Sequence, residues 1–85
     1  SVNFPEVQMG RPEGARVLVL HENIPNTISA ISSAVAQEGL NIENLVNKSR
    51  KDMAVTVMET KSMPSAKALE AIGRIPGVVR VRFFG

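Results

Sequence analysis

The order in which apolar periodicity changes along this chain leaves few folds open. Val17-Leu18-Val19-Leu20 is a continuous, partly β-branched apolar run, the pattern of a strand covered on both faces. It gives way to the polar stretch His21-Glu22-Asn23-Ile24-Pro25-Asn26. Ile28, Ile31 and Val35 then recur at helical spacing, with Ala30 and Ala34 in the same stripe. Pro25 suits a first helical turn, Asn23 or Asn26 is placed to cap it, and Gly39 to end it, so the spacing predicts a helix from Pro25 to Glu38.

The same succession then repeats. Asn41 to Arg50 alternates imperfectly, with Ile42, Leu45 and Val46 as its apolar members, and reads as a half-exposed edge strand with a bulge. After a turn near Arg50 to Asp52, Met53 to Met58 reads as a second central strand. Ser62 to Ser65 carries Pro64 and two hydroxyl caps. Ala66, Leu69 and Ile72 mark a shorter helix, supported by a Glu70–Arg74 pair four residues apart and broken at Pro76-Gly77. Val78 to Phe84 is the last strand, with Val79, Val81 and Phe83 expected inward and Arg80 and Arg82 outward. Two β-α-β halves of similar length, echoing each other in Ile24-Pro25-Asn26 and Ile75-Pro76-Gly77, interleave into an α+β, ferredoxin-like βαββαβ sandwich. Its four-stranded antiparallel sheet has both helices on one face and its most apolar strands in the centre.

Ser1 to Glu13 is different in kind. Pro5, Gly10 and Pro12 punctuate it too often for a helix or central strand. It reads as a linker from an upstream catalytic part, with the domain proper over 14–85, and Gly10 and Gly14 suit a hinge. The chain starts at Ser1, and we expect it to be a piece of a longer, soluble, cytoplasmic protein. No apolar run reaches the roughly 18 residues that cross a bilayer, so no membrane partner is expected.

Composition removes most kinds of chemistry. There is no Cys and a single His, His21, in 85 residues. Thiol catalysis, Cys-ligated zinc, a multi-histidine metal site and the usual histidine triad are therefore excluded. Trp and Tyr are absent and Phe occurs only at Phe4, Phe83 and Phe84, which removes the stacking platforms of RNA-recognition modules. Ten Lys and Arg against eight Asp and Glu leave a net charge of +2, too balanced for an electrostatic nucleic-acid binder. A phosphatase of this fold would need an anion-cradling loop after the first strand, whereas Arg11 to Gly14 precedes it. No paired carboxylates or activated nucleophile can be assembled, so neither catalysis nor a bound cofactor or metal is expected of this stretch.

The remaining concentration of polar groups is the turn after the first strand, where His21 and Asn23 adjoin the helix start, together with Asn41 just past the helix end. Two readings are open. Asn23 caps the helix, His21 ends a strand and Asn41 closes a turn; or these neutral donors and acceptors, beside backbone N–H groups at a helix start, receive a carboxylate and an ammonium. The second describes amino-acid recognition.

At these residues the chain resembles the ACT domain. The resemblance is carried by Arg16 to Pro25, by Gly39-Leu40-Asn41-Ile42 and by Ile75-Pro76-Gly77, and it spans essentially the whole chain. It is strongest to the version that closes an NAD-dependent dehydrogenase of serine biosynthesis, and the leader Val2 to Val7 resembles the segment leaving that catalytic part. The resemblance implies a feedback sensor. Two copies would join side by side through edge strand and first helix into an eight-stranded sheet, as a homodimer, with L-serine or another small amino acid at the seam. It implies a ligand-binding set of His21, Asn23, Pro25, Asn26, Asn41 and Ile42, with His21 and Asn23 of one subunit facing the partner copy's Asn41. Asn41, helped by Asn23, would meet the ligand's charged groups, and His21 its hydroxyl or carboxylate. Asn26 stands where the family usually has Gly, which leaves two alternatives: a purely structural dimerisation module, or a sensor of a different amino acid. For the longer protein the resemblance implies bound NAD. Such a sensor acts by linkage, where a coupling of about 1–3 kcal/mol changes distant activity about 5–150-fold. A domain this small gains stability from its dimer.

Overall fold

A computed structural model describes residues 14–84; the reading of 1–13 as a linker lies outside the described residues. The elements follow the sequence pattern: β1 (Ala15–Glu22), α1 (Pro25–Gln37), β2 (Ile42–Arg50), β3 (Met53–Thr60), α2 (Ala66–Gly73) and β4 (Val78–Phe84). The sheet is antiparallel, ordered β2-β3-β1-β4, so the two most apolar strands are central. This is the expected ferredoxin-like arrangement.

Alternation along the strands builds one compact core. Val17 and Val19 of β1 and Met58 of β3 share a face with Ile31 and Val35 of α1 and Ile72 of α2, all buried together. Leu20, Val55 and Val57 alternate to the opposite face and are buried as well. The reading of β1 as a strand buried on both faces and of β3 as the second central strand therefore holds. Arg16 and Glu59, directly paired across β1 and β3, form an ion pair of 3.0 Å on that second face.

The ends of the elements follow local chemistry. Ser65 caps α2, accepting from the Ala68 amide at 3.0 Å, and Glu70 receives the Arg74 guanidinium at 2.7 Å. Gly39 closes α1 at φ 75°, where glycine escapes the Cβ conflict of other residues. The β2–β3 hairpin turns at Lys51 and Asp52, with Lys51 itself at φ 59°. The bulge expected in β2 is present as a register shift between Ile42 and Asn44.

Two expectations fail. α1 has no side-chain cap: its N-cap is Ile24, and neither Asn23 nor Asn26 serves. Asn23 is bound elsewhere, to the β2–β3 hairpin. In β4, Val79 is 54% exposed and Phe83 41%. A bulge opposite Leu20 and His21 pairs His21 with Val78 and skips Val79, so Val78 packs on the core in place of Val79. Val81 packs on the core as expected, and Phe83 lies opposite Val17 on the same side, open because β4 is an outer strand.

Candidate functional site

The β1–α1 turn is held from both sides by other loops. On the β4 side the Glu22 amide donates to the Gly77 carbonyl at 2.8 Å. On the β3 side the Asn23 amide donates to the Asp52 carbonyl at 2.8 Å, and Asn23 Nδ2 to the Lys51 carbonyl at 3.3 Å. Pro25 opens α1 and Asn26 follows in its exposed first turn. Pro25 has no N–H, and the Asn26 amide has no helical carbonyl four residues before it. With no side chain capping this end, an uncompensated amide and the helix dipole favour negative charge here. Asn26 has a negative φ, since Lys51 alone among the described non-glycine residues has a positive one. The backbone therefore does not require Gly at Asn26, and only side-chain volume is at stake.

Beside the turn lies an open depression of about 400 Å³, lined by Glu22, Asn23, Ile24, Lys51, Asp52 and Met53. Its walls carry two carboxylates, one ammonium and a primary amide, groups that can pair with charges of either sign. Among the described residues no group of three His, Asp or Glu side chains could share a metal ion.

His21 does not line this depression. It is 0% exposed, on the helix-facing side of β1. Its Nδ1 lies 2.8 Å from the Glu22 carbonyl and its Nε2 2.7 Å from Thr56 Oγ1. A carbonyl only accepts, so Nδ1 carries the hydrogen, and in the neutral ring Nε2 accepts from the Thr56 hydroxyl. Thr56 in turn accepts from Asn47 Nδ2 at 2.9 Å. Both ring nitrogens are therefore occupied within the chain. Thr56, Asn47, Lys51 and Asp52 were not singled out as site residues from sequence, and Gly77 entered only as part of Ile75-Pro76-Gly77. The only signal for Thr56 was a hydroxyl inside the apolar run Met53 to Met58.

Asn41 and Ile42 lie at the other end of the molecule. Asn41 is exposed and its carbonyl receives the Lys61 amide at 3.1 Å. Ile42 pairs with Thr60 and packs against the core. Asn23 adjoins Glu22, which pairs with Met53 at the opposite end of β3. Seven residue steps at about 3.3 Å each separate Met53 from Thr60, and the asparagines lie one residue beyond at either end, so they stand at least roughly 23 Å apart along the sheet. Of the named residues, His21, Asn23, Pro25 and Asn26 thus come together, and Asn41 and Ile42 do not join them within one chain. β2, which starts just after Asn41 and ends at the hairpin beside Asn23, is an outer strand of the sheet, with Leu45 40% exposed.

No family model matches the chain. Its fold matches the crystal structure of the ACT domain of GTP pyrophosphokinase from Chlorobium tepidum, with TM-score 0.70 at 12% identity, over 82% of this chain and 95% of that one. It also matches the regulatory subunit of aspartate kinase from Thermus thermophilus, with TM-score 0.69 at 15% identity, over 87% of this chain and 52% of that one. The sandwich has the fold of an ACT-type domain.

In sequence the chain is related to D-3-phosphoglycerate dehydrogenase. It is 34% identical to the Escherichia coli K12 protein over 84 residues, covering 96% of this chain and 20% of that protein. To the Haemophilus influenzae protein it is 29% identical over 83 residues, again covering 96% and 20%. The chain thus spans about a fifth of the length of these relatives. Among the described residues no helix is long and apolar enough to cross a membrane.

Proposed function

We propose that this chain is a regulatory amino-acid-binding domain that receives L-serine at the seam of a two-fold dimer, as part of a D-3-phosphoglycerate dehydrogenase. The observation that carries the reading is the roughly 23 Å separation of Asn23 and Asn41 together with the position of β2 at the sheet edge. Pairing two β2 edges antiparallel about a two-fold axis brings the start of one β2 to the end of the other. Asn41 of each copy then stands beside its partner's hairpin and β1–α1 turn, completing a seat that neither copy holds alone. The helix start favours the ligand carboxylate, and Glu22 and Asp52 favour its ammonium. The ACT-domain fold and the dehydrogenase relatives support regulation by an amino acid.

Serine acts in this reading by binding one arrangement of the dimer better than another, since equal affinity for both would shift nothing. NAD belongs to the proposed parent enzyme, outside this fold: the turn after β1 reads Glu22-Asn23-Ile24-Pro25 and lacks the glycines that admit a dinucleotide pyrophosphate. Asn26, exposed in the first turn of α1, favours a second reading, a dimerisation module whose seat its side chain fills.

Calorimetric titration with L-serine separates the two, because the module gives no saturable heat. Asn23→Ala and Asn41→Ala should each abolish most binding. Mixing the two variants should restore one site per heterodimer, since one seat then receives both native asparagines. Mixed subunits that stay inert while the native dimer binds would refute the cross-subunit seat.

A further inference from the structure

The hydrogen-bond chain behind the turn, buried at His21 and Thr56 and reaching the surface at Asn47, has a single direction. Asn47 Nδ2 donates to Thr56 Oγ1, the Thr56 hydroxyl to His21 Nε2, and His21 Nδ1–H to the Glu22 carbonyl. That carbonyl also receives the Ile24 amide at 2.9 Å, so both of its lone pairs are used. The same peptide plane carries the Asn23 N–H, which is bound to the Asp52 carbonyl. The orientation of the Glu22–Asn23 peptide, and with it the Asn23 side chain, is therefore set at one end of a chain whose other end is Asn47 on the edge strand β2. His21 and Thr56 are fully buried, where an unmade hydrogen bond is expensive and an intact one holds its geometry firmly.

We propose that Asn47 and Thr56 are positioning residues of the effector site, acting through His21 to fix the Glu22–Asn23 peptide. The proposal rests on the serine-sensor reading above. It ties that site to the edge strand at which the partner copy is placed: a displacement of β2 at Asn47 pulls on the peptide that holds Asn23. Seam and ligand seat are thereby mechanically one unit, which is what linkage between subunit arrangement and affinity requires.

His21 is the only histidine, so the imidazole nitrogen spectrum of uniformly ¹⁵N-labelled chain reports this ring alone. The expected native state is the Nδ1–H tautomer, with Nε2 accepting. Thr56→Val keeps the shape and removes the hydroxyl. It should change the Nε2 resonance and weaken L-serine binding about 5- to 10-fold, the equivalent of one net hydrogen bond, and Thr56→Ser should restore both. Asn47→Asp offers only acceptors, so the Thr56 hydroxyl turns towards it and a hydrogen should appear on Nε2, with weaker serine binding. Ile72→Val, a core change on α2, should lower stability without altering the ring spectrum or the affinity. An Nε2–H tautomer in the native chain, or native serine affinity in Thr56→Val, would overturn the relay. Absence of serine binding by the native chain would instead refute the sensor reading beneath it.

Discussion

Gly77 is the position at which a single methyl group tests most of this arrangement. Its carbonyl holds the Glu22 amide at 2.8 Å, its φ is 97°, and a Cβ built there would lie 2.8 Å from Thr27 Oγ1. Gly77→Ala therefore carries two costs. An L-residue at positive φ loses about 1–2 kcal/mol, and forcing a methyl against a packed side chain adds about 1–3 kcal/mol. Gly39→Ala isolates the first cost, because Gly39 also has positive φ, at 75°, but nothing lies within 4 Å of its Cβ position. In a domain of this size about 1 kcal/mol corresponds to a Tm shift of about 4–8 °C. Gly77→Ala should then melt at least about 4 °C below Gly39→Ala, and urea midpoints at unchanged slope should rank them the same way. The steric part can be removed separately. Thr27 Oγ1 is buried with no hydrogen-bond partner among the described residues, so Thr27→Ala vacates the space without breaking a hydrogen bond. In that background Gly77→Ala should recover about 1–2 kcal/mol, read as the coupling of a double-mutant cycle. Equal melting of the two alanine variants, or a coupling of zero, would refute the packing argument and with it the assignment of the α2–β4 turn as a support for the β1–α1 turn.

Other outcomes follow from the same coordinates. Ser65→Ala removes the cap of α2 and should lower unfolding free energy by about 1 kcal/mol in urea melts. Lys51→Gly relieves the positive φ of the hairpin and should leave stability level or raise it by up to about 1 kcal/mol; a clear loss would show that the Lys51 side chain contributes more than its backbone strain costs. Leu45→Lys places a charge on the exposed helix-facing side of the edge strand; on the proposed β2–β2 dimer, sedimentation should find the native chain dimeric and this variant a folded monomer. Removing the Glu70–Arg74 pair, which is largely exposed, should change the Tm by no more than a degree or two.

The architecture was legible because each element carries its own period. The apolar runs Val17–Leu20 and Met53–Met58 could only be central strands, and Ile28, Ile31 and Val35 only a helix stripe, once Pro25 and Gly39 bounded it. These signals are local, set by side-chain spacing and backbone restriction, and they survive without knowledge of neighbours. Where a neighbour decides, sequence reasoning failed. The β4 bulge is set by pairing with β1, and no residue of Val78 to Phe84 announces it. Asn23 abandons the cap because the hairpin carbonyls of Lys51 and Asp52, distant in sequence, reach it first.

The candidate site divides along the same line. Sequence alone determined that His21, Asn23, Pro25 and Asn26 share one turn beside a helix start, because they are contiguous. It also excluded Cys-ligated zinc, thiol catalysis and multi-histidine sites by composition. Only the tertiary structure decided that His21 faces inward, committed to Thr56 and Glu22, and that Asn41 stands at the far end of the sheet from Asn23. Side-chain direction depends on strand register, and the distance between two loops depends on which strands pair. Both are properties of long-range hydrogen bonding that no spacing within one segment encodes.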